Sequence, residues 1–317
     1  MTLHSRWRWG SRQHATAVRT AVLAIWLAIV AITPYGYYAR FPAEMSAGYG
    51  LGRLLLGGHA LKAILLSYPV LMALKWGAMA ACVLAILFPN RCRWLTPVVL
   101  AFVFVLDNLT KSFNGYVNHA QLVPFLILVV FAVFGGRRYL PTLGFHAEDA
   151  DVPPEPETST LAADATVAPY GSVVWLAGLM LIIPYTFIAM NRLLVGGFEV
   201  FHGDALLDYI NLTSRRYSVY HSSVFLGLIR IWWLAAALKV GYFVTTLFEL
   251  GSAGALFSRM YRRVWLVVIV SFHFVTLLAM NIFFWENLLL VLVIFGWGVW
   301  TSEGSARLGP ADVGGTL

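Results

Sequence analysis

The sequence predicts an all-α fold: a polytopic transmembrane helix bundle of about eight spans, with both termini cytoplasmic. Three observations carry that prediction. Hydrophobic residues fill 60% of the 317 positions and charged residues only 12%, with a mean hydropathy of +0.75; soluble domains carry about twice that charge. The apolar residues gather into about eight runs, most of them near the roughly 20 residues that a helix needs to cross a bilayer. Basic clusters recur between the runs on one side: Arg6/Arg8/Arg12, Arg91/Arg93, Arg137/Arg138 and Arg259/Arg262/Arg263. Basic loops stay in the cytoplasm, which fixes the orientation.

The same composition excludes several classes. The formal charge of +7 sits mostly in short loops, so it reports topology rather than nucleic-acid binding. No nucleic-acid motif and no Gly-rich phosphate cradle is present. The two cysteines, Cys82 in an apolar run and Cys92 in a basic turn, form neither a CxxC pair nor a disulfide framework.

In order, residues 1–16 form a basic, Trp-containing N-terminus suited to an anionic leaflet. The first membrane half, residues 17–141, holds four spans. The first, Ala17–Tyr38, ends in an aromatic cluster typical of the membrane interface. A Gly-rich loop, Arg40–Lys62, with a short interfacial helix near Leu51–Leu56, leads to the second span, Ala63–Phe88. The third is Trp94–Leu109 and the fourth Val117–Phe134. Residues 142–169 read as a disordered acidic linker, because Glu148, Asp149, Asp151, Glu155, Glu157 and Asp164 lie among prolines and alanines that cannot build a core. The second half, residues 170–300, holds Gly171–Met190, an interfacial stretch Leu193–Ser218, Leu226–Leu250, Val264–Met280 and Ile282–Trp300. Residues 301–317 form a cytoplasmic tail.

Three polar constellations then fall on the outer side: Asp107–His119, Asn191–Arg216 and Asn281–Asn287. Ionisable groups at membrane depth face a protein interior or a wet cavity and often mark function. Asp107 and Lys111, four apart, share a helix face and can neutralise each other. They read either as a structural pair or, with Asn118 and His119, as part of a site. His273 reads as a hydrogen-bonded core residue or a ligand contact. Glu286 reads as a partner of Arg192 across the outer face, or as a charge at a helix N-terminus. Glu249 and Lys239 do not share a face and need partners from other helices; Lys75 either snorkels or meets a carboxylate such as Glu249. No metal site is expected, because His119 and His273 lack helix-spaced partners of the zinc type.

Asn118-His119 opens an apolar helix after an aspartate-containing polar turn. Phe248-Glu249-Leu250 precedes a Gly/Ser/Ala stretch, and Ser271-Phe272-His273 is followed by the Met280-to-Phe284 turn. In order and spacing these segments resemble the vitamin K-dependent gamma-carboxylase family and its bacterial HTTM-domain relatives, through most of residues 15–300. The resemblance implies a reduced naphthoquinone as cofactor near the outer face, a lysine base, His119 and His273 as the matching histidines, and a bacterial cytoplasmic membrane. The family lysine follows a Phe-Ile-Ala-like run; here Phe187-Ile188-Ala189 leads to Arg192. Arginine keeps the charge but cannot serve as a base.

Two functions follow from these residues. One is a membrane enzyme of quinone or lipid-like substrates, with His119, Asp107 and Lys111 at the chemistry and Asn118, Arg192, Glu286, Asn281, His273 and Glu249 binding substrate. The other is a non-catalytic membrane protein that binds, exports or helps mature a peptide or lipid. Membrane lipids are partners in either case.

Overall fold

The computed structural model describes residues 12–42, 46, 59–89, 94–114, 119–134, 160–216, 227 and 229–297; for some helical positions, His119 among them, it describes the backbone alone. Every regular element among the described residues is helical. Six helices are long and apolar enough to cross a membrane: Gln13–Ile32, Tyr68–Leu87, Leu95–Phe113, Ser172–Gly196, Trp232–Leu250 and Arg259–Met280; Gln121–Val133 and Trp285–Gly296 are shorter apolar helices. The chain is an integral, multi-pass membrane protein whose exposed apolar side chains, such as Ile32, Leu87 and Val267, suit lipid contact. Two compact units divide it, Met1–Ala177 and Gly178–Leu317.

The first unit contains α1 (Arg12–Ile32), α2 (Tyr35–Tyr38), α3 (His59–Leu65), α4 (Tyr68–Leu87), α5 (Leu95–Asn114) and α6 (His119–Val133). Helix α1 packs on α4 and α6, and α5 also packs on both, which closes a four-helix ring. On α1 the buried stripe Val18, Val22, Ile25/Trp26 and Ile29 repeats every three or four residues, the period of one helix face. Trp26 meets Phe125 of α6 edge to face. At one end Arg19 donates to Thr96 Oγ1 (2.9 Å) and to the Pro89 carbonyl (3.0 Å), tying α1 to the α4–α5 turn.

Element ends differ from the sequence reading for local reasons. The run Ala63–Phe88 is not one helix. Ser67 breaks it, with Pro69 in the first turn of α4, where a missing N–H costs nothing. Helix α5 does not stop at Leu109. Thr110 and Ser112 return their hydroxyls to the carbonyls of Leu106 (3.0 Å) and Leu109 (2.7 Å), so polar residues continue the helix instead of turning it. The first span ends earlier than Tyr38, at Ile32.

Helix α7 (Thr160–Gly196) begins inside the stretch 142–169 read as disordered and runs through the boundary between the units; residues 142–159 lie outside the described residues. The second unit continues with α8 (Glu199–His202), α9 (Ala205–Arg216), α10 (Trp232–Leu250), α11 (Gly254–Phe257), α12 (Arg259–Met280) and α13 (Trp285–Val291), which a π-helical turn extends to Gly296. Helix α12 is the hub and packs on α9, α10, α11 and α13. It starts five residues before Val264 because Ser258 caps it, accepting from the Tyr261 N–H at 3.3 Å. It stops at Asn281, whose φ of 59° is left-handed. The Asn281 N–H bonds the Leu277 carbonyl and the Ile282 N–H the Thr276 carbonyl, an αL cap in which Asn tolerates the left-handed position. Helices α8 and α9 fill the stretch read as interfacial, and neither is long enough to cross a bilayer. Leu206 and Ile210 of α9 pack on Ala279 and Met280.

Candidate functional site

In the second unit the polar side chains of three apolar helices meet. On α7, Gly178, Tyr185 and Arg192 stand seven residues apart, two helical turns each, and so share one face. On α10, Tyr242, Thr246 and Glu249 make a second such stripe. On α12 the buried face carries Trp265, Ile269, His273 and Thr276.

Arg192 forms an ion pair with Glu249. The same Nη1 donates to Thr246 Oγ1 at 3.3 Å, while the Thr246 hydroxyl donates to the Tyr242 carbonyl at 2.9 Å. The guanidinium carbon lies 4.8 Å from the Tyr242 ring centroid and 5.6 Å from that of Phe272, within range of cation–π attraction. The Glu249 side chain is 1% exposed and that of Arg192 18%. A carboxylate buried this deeply requires a partner cation, and the planar fork of arginine is suited to supply it. The guanidinium is therefore held by charge on one edge and by rings nearby.

Two turns along α7, Tyr185 Oη and His273 Nε2 share a hydrogen bond of 2.7 Å. The Tyr185 ring stands edge-on to Trp265 (5.9 Å) and to His273 (6.0 Å), and Phe284 meets the other side of the imidazole at 6.0 Å. His273 is thus a hydrogen-bonded core residue, as one of its two sequence readings has it. Its Nδ1 is buried with no hydrogen-bond partner among the described residues, and so are both amide atoms of Asn281 and Oδ1 of Asn287.

The expected Arg192–Glu286 pair is replaced by Arg192–Glu249. Glu286 is buried in the first turn of α13, the position where a helix dipole favours a negative charge, and makes no ion pair among the described residues. Lys239 pairs with Asp204 at 3.2 Å. Asn281 takes its place as the left-handed cap of α12. Tyr185, Tyr242, Thr246 and Phe272 escape a reading that looks only for charged groups. The heptad spacing Tyr185–Arg192 and Tyr242–Glu249 is the signal that could have found them.

The remaining candidates belong to the first unit. Lys111 and Asp107 form the expected i, i+4 ion pair on α5, not on a turn. Asp107 is buried, and its Oδ1 has no hydrogen-bond partner among the described residues. The Tyr35 phenol lies beside the Thr33 and Thr110 hydroxyls with Asp107 nearby; burial pushes its pKa above the ordinary tyrosine value, so it stays neutral. Among the described residues Lys75 meets no carboxylate. Its ammonium donates to the carbonyls of Ala31 (2.9 Å) and Thr33 (3.0 Å), at the C-terminal end of α1 where carbonyls lack helical partners. Lys62 donates to the Ser46 carbonyl at 2.6 Å. His119 is the first residue of α6, its side chain lies outside the described set, and Asn118 lies outside the described residues.

Chemically, the second unit offers a fixed guanidinium, a carboxylate, a phenol and an imidazole within aromatic walls. No cluster of three or more metal-ligating side chains occurs among the described residues. No family model matches the chain, and no curated protein and no solved structure is detectably similar to it.

Proposed function

We propose that the second unit binds an amphiphilic molecule of quinone-like or lipid-like character drawn from the bilayer, in a protein of the HTTM and gamma-carboxylase-like kind. The observation that carries this reading is the buried Arg192–Glu249 pair beside the Tyr242 and Phe272 rings. Buried charge on membrane helices is costly and persists where it serves binding or transfer. Aromatic walls with a few fixed polar groups are the usual make-up of a small-molecule site. In this reading Arg192 and Glu249 orient the polar head, with Asn281, His273 and Glu286 on the same unit as further contacts.

If the protein is an enzyme, Arg192 cannot be its base, and the proton transfers fall to a histidine, His119 or His273. A reduced naphthoquinone is the cofactor that the resemblance implies. Asp107, Lys111 and His119 are the catalytic candidates of the first unit, with Asn118 as a substrate contact. The second reading is a non-catalytic protein that binds, exports or assists maturation of a peptide or lipid; the replacement of lysine by Arg192 favours it. Both readings take the chain to lie in a cytoplasmic membrane of bacterial type with about eight spans and both termini inside.

Mass spectrometry of small molecules extracted from detergent-purified protein tests the binding reading. A stoichiometric quinone or a single lipid class supports it; a co-purifying peptide moves the weight to the second reading, and an empty extract counts against both. Arg192→Lys is the companion test for catalysis, since a gain of quinone-dependent carboxylation would restore the family chemistry with one residue. Reporter fusions at each terminus test the orientation, and an external signal from either overturns it.

A further inference from the structure

We propose that the outer edge of the Arg192 guanidinium binds the anionic headgroup, phosphate or carboxylate, of a membrane amphiphile. This deepens the reading of the second unit as an amphiphile site, and rests on it, by assigning the charge of the head and the atoms that hold it.

A guanidinium presents five N–H groups in one plane. Both hydrogen bonds of Arg192, to Glu249 and to Thr246, leave from Nη1. Nε and Nη2 have no hydrogen-bond partner among the described residues, and neither is a sealed buried atom. Nε–H and one N–H of Nη2 point the same way along one edge. That edge is the fork that accepts two oxygens of a carboxylate or phosphate side by side.

Direction comes next. The Tyr242 and Phe272 rings and the bond to Glu249 hold the plane, so the open edge has a set orientation before any ligand arrives. A preformed donor pair loses little freedom on binding.

Depth supplies the rest. Arg192 stands four residues before the end of the span Ser172–Gly196, about 6 Å of helix rise, which is headgroup level for a lipid whose tail enters the bilayer. Beyond it, at the end of the span, Leu194 and Val195 are each 79% exposed and Phe198 67%, an apolar face at the interface beside a bound head, while the chains of the amphiphile run back past Arg192 toward the middle of the span. Glu249 repels a second anion, but it occupies Nη1, so an anion on the Nε/Nη2 edge has the positive guanidinium between itself and the carboxylate. A neutral quinone ring would use the aromatic walls and leave the fork idle.

The test is retention of defined amphiphiles by the purified full chain, read by native mass spectrometry. Phosphatidylglycerol is compared with phosphatidylcholine of the same chains, and oleate with methyl oleate. The expected result is at least tenfold stronger retention of one or both anionic members, with the pair that responds telling phosphate from carboxylate. Arg192→Lys keeps the charge opposite Glu249 but removes the fork, and should abolish that preference. Because this variant can misfold, a photoactivatable phosphatidic acid on the wild-type protein gives a second readout, with labels expected between Leu193 and Phe198. Equal retention of charged and neutral partners, an unchanged preference in Arg192→Lys, or labels confined to other segments would overturn the proposal. A stoichiometric neutral quinone or lipid with no charge preference would do so too, while leaving the amphiphile site itself standing.

Discussion

The two units bury ionic groups in contrasting ways. In the first, every described lysine is committed to a fixed acceptor: Lys111 to Asp107 one turn away, Lys75 to carbonyls at the end of α1, Lys62 to the Ser46 backbone. In the second, Arg192 and Glu249 meet across 57 residues of chain, and the arginine keeps donors in reserve. A pair within one helix forms whenever the helix forms and does little beyond steadying it. A pair between helices exists only in the assembled unit, and it can hold a group open toward a ligand. The contrast separates charge that maintains a helix from charge that is available for recognition.

Substitutions can break that contrast, most sharply at Glu249. Glu249→Leu leaves a buried guanidinium without its counter-ion and should cost about 3–5 kcal/mol, read as a lower unfolding midpoint in detergent. Replacing both partners by apolar residues, Arg192→Met with Glu249→Leu, should recover most of that loss, because two well-packed apolar groups replace a neutralised pair. If the double variant is no better than the single, the two residues are not coupled.

Asp107→Leu tests the other side of the comparison. The lysine left behind lies near the end of a span, is partly exposed and can snorkel to water on its flexible stem, so the expected loss is about 1–2 kcal/mol. A loss as large as that of Glu249→Leu would erase the distinction between the units. Tyr185→Phe removes one hydroxyl and keeps the ring against Trp265, and about 1 kcal/mol should follow. The same assay on His273→Phe separates the hydrogen bond from the packing. Smallest of all, Lys75→Met should cost about 0.3–1 kcal/mol, the usual worth of a cation at a helix C-terminus.

The same contrast explains what could be read from the sequence. Apolar runs gave the spans because a bilayer imposes its thickness on any helix that crosses it, and the Asp107–Lys111 pair is readable because i, i+4 geometry holds in every helix. Arg192–Glu249 is not readable that way. Which acid a membrane arginine meets depends on helix rotation and depth, which span boundaries do not fix, and Glu286 satisfied the same charge rule on paper. Helix ends were harder still: Thr110 and Ser112 look like a turn until their hydroxyls are seen to bond the preceding turn. Asn281 illustrates a residue chosen for conformation where the sequence suggested binding, although its buried amide still awaits a partner among the described residues.

That cap at Asn281 carries a consequence for chain length. Only Ile282, Phe283 and Phe284 separate it from α13, so no slack remains to absorb an added or missing residue. A helix turns by about 100° per residue. One inserted residue between Asn281 and Trp285 must be taken up by this three-residue reversal or by a one-residue shift of register in α13, and such a shift would turn its faces by that angle and carry Glu286 out of its buried position. The register of the final apolar helix is thus set by the count of three residues as much as by their identity, and this reversal is the place where an inserted tag or epitope would be tolerated least.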